Sequence, residues 1–161
     1  MEQFQFLREK AFEKLKVADH MLFTTYPLMK DPKLLLAVVE NVNACLEYTI
    51  AALLHYELAH KRVPSFQETS QSRLELFESN VAPRLRLNNN YGKLIREVKS
   101  LLSAHKKSPV AFAKKDKYVI LSPKYDVTAV DVNIVKRHVF EAKLFLSNIS
   151  VIVNKHERVV V

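Results

Sequence analysis

The sequence predicts an all-α fold: one domain over residues 1–161, built as a five-helix antiparallel bundle with a small extended or β-hairpin insertion near residues 117–130. Three observations predict it. Apolar residues recur at helical spacing along most of the chain. Cap-then-proline signals at Asp31-Pro32 and Ser108-Pro109 punctuate those runs. Only the stretch KYVILSPKYDVTAV, residues 117–130, changes to β-favouring residues on either side of a turn signal.

The first helix spans about 2–25, with Phe4, Leu7, Ala11, Leu15, Ala18 and Leu22 on one face and charges on the other. Tyr26-Pro27 is expected to stop it, because a residue before proline is pushed out of the helical region. Asp31 then caps the second helix, about 32–62. Leu35, Val38, Val42, Leu46, Ile50, Leu53 and Leu54 cover most of that helix, which marks it as central. It ends in His60-Lys61-Arg62, cations suited to a helix C-terminus. A third, weaker helix covers about 66–80 and is expected to end between Asn80 and Pro83. Asn88, Asn89 and Asn90 offer caps for the fourth, which runs to about Lys107. Ser108-Pro109 signals one further short turn. Asp131 caps the last helix, about 131–155, with Val135, Val139, Ala142, Phe145, Leu146 and Ile149 facing the core.

Composition excludes several chemistries. Gly occurs once, at Gly92, so a P-loop or dinucleotide fingerprint cannot be built. Cys45 is the one cysteine, set in an apolar run, where a small core residue is expected. No disulfide can form within the chain. Charges interrupt the N-terminal segment, unlike a secretory signal. Glu47, His55 and Glu57 interrupt the most apolar helix, so no membrane span is expected and the chain reads as cytoplasmic. Glu57-x-x-His60 matches one element of carboxylate-bridged di-iron bundles, but that chemistry needs two such elements, so no metal and no cofactor are expected.

Two constellations stand out. Glu40, Asn43 and Glu47 lie within about 60° on the second helix, beside a line holding Tyr48 and His55; together they are a candidate polar pocket. The sequence offers no partner that would set the Tyr or His up for acid–base work. The stronger signal is charge. Of the formal +8, all arises between residues 84 and 117, which hold ten basic residues and two acidic ones. The ten are Arg84, Arg86, Lys93, Arg96, Lys99, Lys106, Lys107, Lys114, Lys115 and Lys117; elsewhere fifteen basic residues balance fifteen acidic ones. On the fourth helix Lys93, Arg96, Lys99, Lys106 and Lys107 share an arc of about 140°, opposite the apolar face that includes Leu94, Ile95 and Val98. Phe112 and Tyr118 interleave with the lysines downstream, where exposed rings would stack on bases. His105, inside the apolar arc, reads as a packed residue.

The order of elements resembles the HEPN-like group of helical bundles: a long first helix, the apolar helix from Leu34 to Leu58, and a closing helix around Val132 to Val153. The resemblance implies long antiparallel helices, frequent dimers, and work on RNA or beside a nucleotidyltransferase. That group's ribonuclease motif is an Arg followed after four to six residues by His. No Arg here has a His at that spacing: Arg137-His138 are adjacent and Arg96 to His105 is too long. The resemblance therefore implies no catalytic residue.

Two functions compete on this reading. One is a non-catalytic module that binds RNA, or another polyanion such as DNA, through the ten cations of residues 84–117. The other is a homodimeric protein-interaction module whose basic face docks an acidic partner protein. An enzyme using Tyr48 and His55 is a third. A homodimer is expected because the apolar coverage of the second and last helices exceeds what a small bundle hides, with Val159–Val161 adding to the contact.

Overall fold

A computed structural model describes residues 2–108 and 110–159. The fold is mostly helical, with a three-stranded antiparallel sheet, so it is not purely all-α. Helix α1 spans Gln3–His20 and continues through a π-helical turn, Met21–Thr25, into α2, Tyr26–Met29. Helix α3 spans Lys33–Ala59. Helix α4, Ser70–Leu76, continues through a second π-helical turn, Phe77–Val81, into α5, Ala82–Arg84. Helix α6 covers Asn90–Lys107 and α7 covers Val132–Val159, with β1 Val110–Lys114, β2 Lys117–Leu121 and β3 Val127–Asp131 between them.

The expected stops at Tyr26-Pro27 and at Asn80 to Pro83 do not occur; Pro27 and Pro83 sit inside continuing helical segments. Proline lacks an N–H and its ring collides with the carbonyl four residues back. Both segments widen by one residue just before the proline: Tyr26 N–H donates to the Met21 carbonyl, and Ala82 N–H to that of Phe77. A single π turn of this kind lets the helix pass the proline instead of breaking. The first segment ends three residues after Pro27, at Lys30, in the left-handed conformation (φ 50°).

Asp31 does open α3: its Oδ1 accepts from Lys33 N–H at 3.0 Å. At the other end His60 Nδ1 donates to the Tyr56 carbonyl at 2.8 Å, satisfying a carbonyl of the last turn. By length and composition α3 is apolar enough to cross a membrane. Here it is the core helix, with α1, α6 and α7 packed on it. Leu35, Val38, Val39, Val42, Leu53 and Leu54 are fully buried. Cys45 is buried among them as expected, and burial pushes its thiol up to about 12.

The expected hairpin exists: β2 and β3 pair antiparallel, Lys117 opposite Asp131 and Leu121 opposite Val127. The sequence reading missed β1, which pairs on the other side of β2, Val110 opposite Leu121 and Lys114 opposite Lys117. Ser108 does not begin a helical turn; Pro109, the other half of that signal, lies outside the described residues. The residue before a proline favours extended backbone, and Ser108 adopts it (ψ 127°). Its hydroxyl donates to the Leu121 carbonyl at 2.6 Å and accepts from Val110 N–H at 3.2 Å, pinning the start of β1 to the end of β2.

The sheet sits at one end of the bundle. Tyr118, Ile120 and Val130 face the core. Asp116, in the β1–β2 turn, accepts from the Tyr26 hydroxyl at 2.7 Å, which ties the turn to α2. Burial, and next the bond and the negative charge of Asp116, push the Tyr26 hydroxyl up to about 12, so it stays a donor.

Candidate functional site

The ten cations of the basic segment fall into two groups. Three are consumed by carboxylates of the bundle. Arg84 donates to Glu57 Oε2 at 2.8 Å, and Glu57 is fully buried. Arg96 pairs with Glu78. Lys99 lies 2.7 Å from Glu47 Oε1 and also donates to the Ser70 hydroxyl. The stripe expected along the fourth helix is therefore interrupted, because two of its five members, Arg96 and Lys99, bind α3 and the α4 segment. The other seven, Arg86, Lys93, Lys106, Lys107, Lys114, Lys115 and Lys117, are exposed and have no carboxylate partner among the described residues.

Five of those seven gather at the sheet end. Lys106 and Lys107 close α6, where cations also suit the helix dipole. Lys114 and Lys117 are register partners across the β1–β2 ladder, so two like charges stand directly opposite each other, an arrangement that is destabilising in itself. Lys115 is in the turn. Lys30, which the sequence reading did not single out, joins Lys114 and Lys115 around a shallow depression of about 360 Å³ beside Pro32. The α2–α3 connection brings it there, and no periodicity in the sequence links residue 30 to residue 114. Alternation along β1 puts Val110, Phe112 and Lys114 on the solvent face, and Phe112 is 46% exposed. Tyr118 is not available for stacking: it is buried, with its ring 5.8 Å from that of His105. Three nearby carboxylates accept from neutral donors and keep their charge. Asp31 caps α3, Asp116 holds Tyr26, and Asp131 Oδ1 accepts from Ile134 N–H at 2.9 Å.

The polar line on α3 also becomes a site, in altered form. Glu47, Tyr48 and His55 line a cleft of about 570 Å³ floored by Leu7, Ala44 and Ala51. Glu40 and Asn43 do not line it; Glu40 is exposed, and the Asn43 side-chain oxygen is buried with no hydrogen-bond partner. The structure supplies the partner of His55 that the sequence did not show: its Nε2 lies 2.6 Å from Glu68 Oε1. Arg73 then bridges Glu68 at 2.9 Å and Glu47 at 3.3 Å. Burial pushes the Glu47 carboxyl up, but bonds from Lys99 and Ser70 outweigh it, with Arg73 adding to them, and its pKa is lowered. With both carboxylates saturated, the chain Lys99–Glu47–Arg73–Glu68–His55 knits α6 and α4 to α3. The candidate metal element is spent on structure as well: Glu57 holds Arg84, and His60 caps α3.

No family model matches the chain, and no curated protein or solved structure matches it either.

Proposed function

We propose that this chain is a non-catalytic module that binds single-stranded RNA at the sheet end of the bundle. The observation that carries the reading is the Lys114–Lys117 pair, two cations facing each other across a hairpin with no ion-pair partner among the described residues and with Asp131 across the second ladder from Lys117, beside exposed Phe112 on the same face of the sheet. A bridging phosphate relieves the repulsion, and an exposed ring offers a stacking platform that any base fits. Lys30, Lys106, Lys107 and Lys115 extend the surface around it. These are point charges rather than planar readers, so contacts go to phosphates and sequence preference is weak.

Fluorescence anisotropy with a labelled single-stranded RNA tests the proposal. If about five phosphates are neutralised, log affinity falls with log salt at a slope near −3.5. Lys114→Gln with Lys117→Gln flattens the slope by roughly 1.4, since each single-strand phosphate contact contributes about 0.7. Phe112→Ala weakens binding by about tenfold, from a stacking contribution of about 1–3 kcal/mol, and leaves the slope alone. Affinity independent of salt, or an unchanged double variant, overturns the reading. Capture of an acidic protein by these same lysines, with no RNA bound, establishes the competing one.

A further inference from the structure

The apolar excess that the sequence placed on the second and last helices is hidden on α3 but not on α7. Helix α7 turns Val135, Val139, Ala142, Phe145, Leu146 and Ile149 inward. On its opposite side Phe140, Leu144 and Val151 stand in the open, with Ser147 between them. Positions 140, 144, 147 and 151 fall within about 60° on the helical wheel, at the four-three-four spacing with which one helix packs along another. Helix α1 continues the surface. Arg8 bonds Asn154 and Asp19 pairs with Lys143, so α1 and α7 run antiparallel side by side. Phe12 lies within about 40° of Arg8 and Asp19 on the α1 wheel, level with the stretch of α7 that holds Val151. Phe23 sits at the other end, with Lys143 Nζ 5.6 Å from its ring centre.

We infer that this α1–α7 face is where a second copy of the chain docks, through a two-fold contact centred on Leu144 and Ser147. The five side chains Phe12, Phe23, Phe140, Leu144 and Val151 are each 46–61% exposed. Together they leave roughly 500 Å² of apolar surface in water, taking aromatic side chains at about 200 Å² each. That is the apolar centre of an interface of ordinary size, about 800 Å² per partner. The patch itself selects the occupant: a two-fold copy meets this apolar surface with the same surface it presents, so one contact buries the patch on both chains at once. Ser147, small and central, lets two copies of α7 cross closely. The inference stands apart from RNA binding, since none of the lysines at the sheet end belongs to this face.

Sedimentation equilibrium on the full chain, from nanomolar to high micromolar concentration, tests it. The expected mass is twice the 18.6 kDa of one chain. Leu144→Glu and Phe140→Lys each weaken association by about a hundredfold or more, because symmetry puts each change in the contact twice. Both keep the parent's helical circular dichroism, since both side chains already face water. Phe140→Lys is the more exposed of the two and gives the same readout should Leu144→Glu fail to fold. A parent that stays monomeric throughout, whether or not it captures another protein on this face, overturns the inference. So does a dimer as tight in both variants as in the parent, which would lie on another face.

Discussion

The two halves of the basic segment look alike in sequence and are spent differently. From Arg84 to Lys99, three of five cations are locked to Glu57, Glu78 and Glu47. From Lys106 to Lys117, all five face solvent with no carboxylate partner among the described residues. A cation next to a bundle carboxylate is a structural part; one on a hairpin beyond the bundle is left for something outside. Net charge, summed along the chain, treats the two as equal.

The largest effect that sharpens this difference is on stability. Arg84→Ala leaves the buried Glu57 with Arg62 as its remaining cation, 3.6 Å away. A buried charged acceptor stripped of a donor costs about 1–3 kcal/mol. Lys114→Ala, at an exposed site, stays within about 0.5 kcal/mol. Urea unfolding of the two variants measures the contrast, and equal midpoints would abolish it. Leu46→Ala gives the scale: Leu46 is 1% exposed in the core of α3, and its truncation costs about 2–5 kcal/mol.

The next effect is on binding. Neutralising Lys114, Lys115 and Lys117 together flattens the salt slope by about 2, whereas neutralising Lys99 leaves it within about 0.3 of the parent's. A slope that responds to Lys99 as much as to Lys114 would erase the distinction between the halves.

The smallest effect concerns Glu97, an acidic residue in the first half. His138 is fully buried, with Nε2 3.4 Å from Glu97 Oε2. Burial lowers its pKa; the Glu97 carboxylate works against that, and Arg137 adds to the lowering. Because the folded ring protonates later than the unfolded one, its contribution to stability is fully present above about pH 6.5. As pH falls below that value the unfolded chain takes up the proton first, and stability declines until the buried ring is protonated too. Thermal unfolding across pH 5–8 reads this slope, and His138→Gln removes it. A parent whose stability rises as pH falls through this window would contradict the assignment.

Much of the fold was legible because it rests on local signals. The apolar arc of α3, the Asp31 and Asp131 caps and the β-favouring runs at 117–121 and 127–131 each depend on residues within a turn or two of one another. The failures have one cause each. The π turns before Pro27 and Pro83 were invisible because proline reads as a stop only where the helix keeps its usual hydrogen-bond spacing. Strand β1 was missed because Ser-Pro opens an extended strand as readily as a helix, and VAFAK carries two helix-favouring alanines. For the site, the lysines were legible but their partners were not. Arg84 and Glu57 are 27 residues apart, and Arg96 and Glu78 are 18 apart, beyond any helical periodicity. His55 likewise gained Glu68 from a loop, and Lys30 joined Lys114 only through the packing of α2 against the sheet.

Lysine acylation, read by mass spectrometry with and without a bound single-stranded RNA, tests the central claim most directly. Lys30, Lys114, Lys115 and Lys117 are expected to lose reactivity on binding, with Lys106 and Lys107 protected to a lesser degree. Lys10, Lys16 and Lys143, exposed or half-exposed on the opposite helices, are expected to react as before, and Lys99 to stay slow in both states. Protection centred on Lys10, Lys16 and Lys143, or spread evenly over all lysines, would contradict an RNA surface at the sheet end.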